Sequence, residues 1–508
     1  MQQLMYSFKG YVAPQAILDG VESGQITSFC LFTNQNIESP AQLRMLTDSL
    51  RDAAARGGHL PPLIGVDQEG GQLTAIANGA TELPGNMALG ATRSPELAYQ
   101  YGLVLGRELL AMGVNLNFAP TMDVNVNPAN PVIGIRSFGE EPELVADLGT
   151  AVIRGMQDEG ILATAKHFPG HGDVASDPHD SQPVNIHPRS RLNTVELVPF
   201  RAAIRANVSA IMSGHILFTA LDDRNPATLS SVILHDLLRN EMGFDGLVIT
   251  DAMDMQAVAR RGKLESVRDA LQAGVDMVLL GHLTDQLELG QQTAHLENPL
   301  SVDRIQSMRQ RIPAALPSLD VVGSAEHRQI AQTIAERSIT LVKNGGQLPL
   351  RPSADDLIAV ITPIPLDLTP ADTSSHVTIQ LAEFIQQRHS RTISLQFRQQ
   401  AAEVEIRAIV EAAAKADIVI VGTIAADQDE SQAALVRELH LRGKRPIVIA
   451  LRTPYDLSVF PEIETYLCTY GIRGVTLQAA TRVLFGEINA EGVLPCSIPG
   501  RVDYVPNL

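Results

Sequence analysis

The densest concentration of reactive side chains is Lys166-His167-Phe168-Pro169-Gly170-His171-Gly172-Asp173, followed closely by Asp177-Pro178-His179. Histidine titrates near neutrality, so His179 is a candidate proton carrier. Asp177, two residues away, can orient its ring and stabilise its cation, as a triad aspartate does. Lys166 and His167 are suited to hydrogen-bonding hydroxyl groups. His167 and His171 are also four apart, as in a zinc-binding helix, but Pro169 and Gly170 oppose a helix between them. The glycines match neither the P-loop nor the dinucleotide fingerprint. A Gly/Pro-rich loop whose histidines satisfy backbone groups accounts for one or two of these residues, less readily for the set. A second constellation is GFDGLVITDAMDM, where Asp251 directly follows an apolar run and is a candidate nucleophile. Asp254 competes with it, but is expected to open the next helix, where an acid stabilises the dipole. A proton donor plus a nucleophilic carboxylate is what cleavage of a glycosidic bond requires, although a carboxylic acid is the usual donor. Asp67 in GVDQEGG, with Glu69 nearby, can accept from hydroxyls. Arg136 in NPVIGIRSFGEEPE can bind a hydroxyl or orient a carboxylate; its bland alternative is a structural salt bridge.

These residues need elements to hold them. Over the first part of the chain, short β-rich runs at 26–32, 63–66, 114–118, 162–165, 210–213, 247–250 and 275–280 alternate with helical patterns such as 95–112, 143–159, 195–207 and 231–242. That alternation predicts parallel strands with helical crossovers. Seven such units suggest a (β/α)8 barrel whose first strand is short or irregular, with a doubly wound open sheet as competitor. Asp67, Asp123, Lys166, His167, His215 and Asp251 fall at or just past strand ends, where barrel enzymes place their chemistry. The pattern loosens at 313–323; a helical segment, the run 338–342 and a turn at 344–346 follow, and then a smaller α/β domain with an open parallel sheet, its strands at 357–361, 418–423 and 446–451 and a helical run at 401–415.

A chain of 508 residues exceeds one hydrophobic core, so two domains are expected. A net charge of −18 disfavours nucleic acid and anionic membranes as partners. No apolar run is long enough to span a bilayer, and no signal-peptide pattern opens the chain. The three cysteines, Cys30, Cys468 and Cys496, suit a reducing, cytoplasmic setting as buried free thiols rather than a disulfide framework or zinc site.

Taken in order, GVDQEGG, NPVIGIRSFG, KHFPGHGD with the Asp177/His179 pair, and GFDGLVITDAMDM resemble glycoside hydrolase family 3, in its bacterial β-N-acetylglucosaminidase branch. SITLVKNGGQLPL, LRTPYDL and LFGEINAEGVLPCSIPG extend the resemblance through the second region, so it covers nearly the whole chain. It implies a TIM-like (β/α)8 barrel over 1–315, a linker over 316–337 and a smaller α/β (αβα) sandwich domain over 338–508. It implies a two-step retaining mechanism, with Asp251 as nucleophile, the Asp177–His179 dyad as acid/base, Asp67, Arg136, Lys166 and His167 as sugar contacts, and His215 as a motif histidine near the site. No metal or organic cofactor is implied. The expected substrate carries a terminal β-linked N-acetylglucosamine, as in muropeptides or chitooligosaccharides. Alternatives are a phosphorylase using phosphate as acceptor, a β-glucosidase without the N-acetyl requirement, and a sugar-binding scaffold without activity. Retention of both Asp251 and His179 argues against the last. Related glucosidases usually draw the acid/base from a glutamate elsewhere; here Asp429 and Glu430, in AADQDESQ, are fallback carboxylates in what reads as a solvated loop. The chain departs from the family's pattern in lacking an arginine shortly after GVDQEGG and in placing Pro178 where serine is frequent. Trp is absent, so sugar stacking must use Phe, Tyr or His.

Overall fold

The computed structural model describes residues 2–175, 177 and 182–500. Eight short parallel strands form a ring: β1 Leu4–Met5, β2 Ser28–Cys30, β3 Leu63–Val66, β4 Leu116–Asn117, β5 Leu162–Phe168, β6 Ala210–Ser213, β7 Leu247–Thr250 and β8 Val278–Leu279. Strands β2 to β7 pair in sequence order. β8 pairs with β1, and single parallel bridges at Tyr6–Phe29 and Ile249–Met277 complete the circuit. This is the barrel rather than the open sheet. The short first strand is β1, only two residues long, and the backbone of Gln3 and Tyr6 beside it continues the pairing to β8 and β2.

The ring is filled rather than hollow. Met5, Cys30, Leu63, Phe118, Met212 and Ile249 belong to one buried cluster inside it, as the layered interior of such a barrel requires. Cys30, Cys468 and Cys496 are free and buried. Outside, helices Pro40–Arg56 and Pro95–Ala111 each begin with a proline at the first turn behind a serine cap, Ser39 and Ser94 accepting from Gln42 N–H and Leu97 N–H. Helix Pro142–Asp158 lies so close to Pro95–Ala111 that a Cβ on Gly155 would stand 2.2 Å from the Tyr99 carbonyl oxygen. No described helix is long and apolar enough to cross a membrane.

The second sheet contains β9 Thr340–Lys343, β10 Ile358–Ile364, β11 Thr392–Arg398, β12 Ile418–Thr423, β13 Ile447–Ala450 and β14 Thr465–Cys468, in spatial order β9-β14-β13-β12-β10-β11. Apolar clusters cover both of its faces, giving a three-layer α/β/α sandwich. The expected all-parallel sheet needs one correction: edge strand β9 runs antiparallel to β14. It starts one residue after helix Ala325–Ser338, and with no crossover to reverse it, the chain joins the edge in the direction it arrives. Strands β11 and β14 are not legible in the sequence. β11 (TISLQFR) is a polar edge strand with only Phe397 buried. Order reverses at β10, which pairs with both β11 and β12, and doubly wound sheets form their ligand crevices beyond the carboxyl ends of strands at such a point. Here that end faces the barrel mouth.

Candidate active site

The strand ends at the barrel mouth converge on a cavity of about 450 Å³, lined by Asp67 after β3, Lys166 and His167 on β5, Asp251 after β7, and Arg136. Lys166 and His167 are neighbours, yet both line it. β5 carries a register irregularity against β6 between Lys166 and Phe168, which breaks the usual alternation of faces.

A buried charge network forms the floor. Arg136 grips Glu69 through two hydrogen bonds, Nε to Oε2 at 3.0 Å and Nη2 to Oε1 at 2.8 Å. Lys166 Nζ lies 2.7 Å from both Glu69 Oε1 and Asp67 Oδ1. Burial pushes the Glu69 carboxyl up, but Arg136 and Lys166 outweigh it and hold it far below the usual carboxylate range. Arg136 therefore orients a carboxylate rather than standing free for a ligand. Glu69, only a neighbour of Asp67 in the sequence, is the pivot of the floor.

His167 is held by Asp123. Its Nδ1 is 2.7 Å from Asp123 Oδ2, and since a carboxylate only accepts, Nδ1 carries the proton. The backbone N–H groups of His167 and His171 also donate to Asp123. This leaves His167 Nε2 toward Asp251, 4.0 Å from its Oδ2. The strand-end position of Asp123 is its only sequence signal, and nothing there identifies His167 as its partner.

Asp251 is aimed by the N–H of Ala252, which donates to Oδ1 at 2.8 Å. Burial raises its carboxyl, but His167, His215, the Ala252 N–H and Lys166 together hold it below the usual range, so it is ionised near neutrality. An ionised, fixed carboxylate is what a nucleophile at a sugar carbon must be. Asp254 also lines the cavity but does not cap a helix: the short helix Gln256–Ala259 begins after Met255, and Asp254 instead accepts from His282 N–H at 3.0 Å. His215 stands behind the site. Its ring meets Thr228 Oγ1 at 2.8 Å and the Ala252 carbonyl at 3.0 Å, and it does not line the cavity.

Asp177 is buried, while His179 lies outside the described residues. Asp429 is no solvated-loop carboxylate: it is buried and caps helix Glu430–Leu441, accepting from Ser431 N–H, because a helix start supplies unpaired donors. Glu430 pairs with Arg437 on the surface.

His171 is a lining residue for which the sequence offers only its motif position. Its ring stands edge-on to His167 with centroids 5.8 Å apart, and neither ring nitrogen has a hydrogen-bond partner among the described residues. Burial, then the neighbouring His167, push its pKa down to about 4. The unfolded value is about 6.5. Its contribution to stability is therefore present above about pH 6.5 and lost as pH falls toward 4, since the unfolded chain binds the proton first. In NMR titrations its ring resonances should stay still from about pH 8 to about pH 5.5; a midpoint near 6.5 would show a solvated ring.

The second sheet completes the cavity. The strap at 365–376, which leaves β10, brings Asp367, Pro370, Ala371, Asp372, Thr373 and His376 to its wall. It is tied to the barrel through Gln72: Gln72 Nε2 donates to the Ala371 carbonyl at 3.1 Å, and Thr373 Oγ1 and N–H both donate to the Gln72 carbonyl. Arg473 Nε donates to the Gly71 carbonyl. The hairpin of Gln68–Gly70 and Leu73–Thr74, which carries Glu69, is thus shared between barrel and sandwich.

Residues 3–336 match the model of the glycosyl hydrolase family 3 N terminal domain, and residues 339–507 that of the family 3 C-terminal domain. A β-hexosaminidase A of Pseudoalteromonas piscicida is 31% identical, covering 91% of this chain and 88% of its own. A β-hexosaminidase of Nitrosomonas eutropha is 42% identical over 48% of this chain and 71% of its own. Among solved structures, a glycoside hydrolase family 3 β-N-acetylglucosaminidase from Paenibacillus sp. str. FPU-7 superposes with a TM-score of 0.92 at 35% identity, covering 98% of both chains. With both family domains matched in order along one barrel-and-sandwich chain, the protein belongs to glycosyl hydrolase family 3 and is a glycoside hydrolase.

Proposed function

We propose that this glycoside hydrolase releases terminal β-linked N-acetylglucosamine with retention of configuration. The observation that carries the reading is the Asp251 carboxylate, ionised and oriented in the same cavity as Asp67, Lys166 and His167. Similarity to the Paenibacillus β-N-acetylglucosaminidase supports the choice of sugar. In the first step Asp251 attacks the anomeric carbon while His179, oriented by Asp177, protonates the departing oxygen. In the second step His179 takes a proton from water, whose oxygen displaces Asp251. Asp67, Lys166 and His167 hold the sugar's hydroxyls, Arg136 acts through Glu69, and His215 steadies the Ala252 backbone beside the nucleophile. The barrel over 1–315 is the catalytic domain, joined through 316–337 to the sandwich over 338–508. The three buried thiols support a cytoplasmic setting.

The test compares 4-nitrophenyl N-acetyl-β-glucosaminide with the β-glucoside, with and without phosphate, for wild type and His179→Ala. Wild type should prefer the N-acetyl substrate and release free sugar in both buffers; sugar 1-phosphate would make it a phosphorylase. His179→Ala should keep a burst of nitrophenol, because this leaving group needs little protonation, and then turn over about 10²–10⁴-fold more slowly. A variant with wild-type steady-state rates would remove His179 from the mechanism.

A further inference from the structure

The lysines, arginines and carboxylates around the cavity do not balance, and the excess is negative. At the floor, the cations Lys166 and Arg136 are matched by Asp67 and Glu69. In the wall, Asp372 is matched by Arg452, 2.7 Å away. Asp251, Asp254 and Asp367 remain. Asp254 accepts from a backbone N–H, and Asp367 accepts from Ser375 N–H and Oγ, both at 2.7 Å; these neutral donors hold the carboxylates without cancelling their charge. Among the described residues, neither makes an ion pair with a lysine or arginine, and none lines the cavity besides Lys166 and Arg136. Phe32 and His282 line the cavity beside Asp254, their ring centroids 4.3 Å apart and their planes tilted by 44°, and present aromatic surface to a sugar.

We propose that the strap and the barrel mouth together select substrates whose leaving group is uncharged, so that the aglycone is a neutral sugar, such as a second N-acetylglucosamine unit, and not a carboxylate-bearing one. This rests on the N-acetylglucosaminidase reading and narrows its substrate class. Asp251 must be ionised to act, so an anionic aglycone meets it in every productive complex. Asp254 and Asp367 add to that repulsion, and among the described residues no unpaired lysine or arginine lines the cavity to offset it. The strap is rigid enough to hold Asp367 in place, since Asp372 also accepts from Leu368 N–H and Ser374 N–H within it.

Two substrates differ in charge on leaving groups of the same size: the 4-carbamoylphenyl and 4-carboxyphenyl N-acetyl-β-glucosaminides. At low salt, about 0.02 M, kcat/KM should favour the amide by about tenfold or more, and the gap should shrink about threefold at about 0.5 M salt, as screening predicts. Asp367→Asn should narrow the low-salt gap by about fivefold. Equal or faster cleavage of the carboxylate, or a gap indifferent to salt, overturns the proposal whether or not the variant folds. If the nitrophenyl N-acetylglucosaminide is cleaved but the amide is not, selection for neutral aglycones is wrong. If all three are inert, the N-acetylglucosaminidase reading itself has failed, and this proposal with it.

Discussion

Asp251→Asn is expected to lower kcat/KM for an aryl N-acetyl-β-glucosaminide by about 10³–10⁵-fold while leaving the fold intact. The amide is isosteric and can still occupy the position 2.8 Å from the Ala252 N–H, so the cavity keeps its shape. What is lost is the negative charge that His167, His215 and Lys166 stabilise against burial, and with it the covalent intermediate. The loss should fall on kcat more than on KM, because the carboxylate acts on the charge that develops at the anomeric carbon in the transition state. Asp254→Asn is the internal control. Its carboxylate holds the His282 N–H, and its replacement should change activity far less. If the two variants lost activity equally, or if Asp254→Asn lost more, the nucleophile would have to be reassigned.

Glu69→Gln should be the most destabilising single replacement at the site, costing about 3–5 kcal/mol, the cost of leaving a buried charge uncompensated. Glu69 is buried, yet it accepts from both Arg136 and Lys166. A neutral amide would leave two buried cations facing Asp67 alone. The readout is the midpoint of urea unfolding at unchanged slope. The effect has a direction in pH. Because the folded pKa of Glu69 is depressed, its contribution is fully present above the unfolded value of about 4.3 and is lost as pH falls well below it. The gap between wild type and variant should therefore be constant from about pH 6 to 8 and close only in strong acid. A loss below about 1 kcal/mol at neutral pH would mean that the network relaxes without its central carboxylate. Activity should fall too, through Lys166, whose Nζ would lose one of the two carboxylates that aim it at Asp67.

Much of this enzyme is legible along the chain. Strands 63–66, 210–213 and 247–250 are read to the residue because each is a short β-rich run, and burial on every side leaves no polar alternation to blur the signal. Once the barrel is recognised, Asp67, Lys166, His167 and Asp251 follow as strand-end residues, since side chains at one end of parallel strands must meet at one mouth. Sequence position alone cannot say which partners those side chains choose. Asp123 is 44 residues from His167, and Glu69 is 67 from Arg136. Such pairings depend on distances between strands, and these exist only after the ring closes. The same reason hides the contribution of the sandwich. Thr373 and Gln72 are 301 residues apart, and the segment at 365–376 reads as an ordinary loop until docking presses the carboxyl end of the second sheet onto the hairpin beside Asp67. Local pattern determined the strands, the candidate residues and the family; tertiary packing decided which charges cancel, which carboxylate is left ionised in the cavity, and which domain supplies part of the cavity's wall.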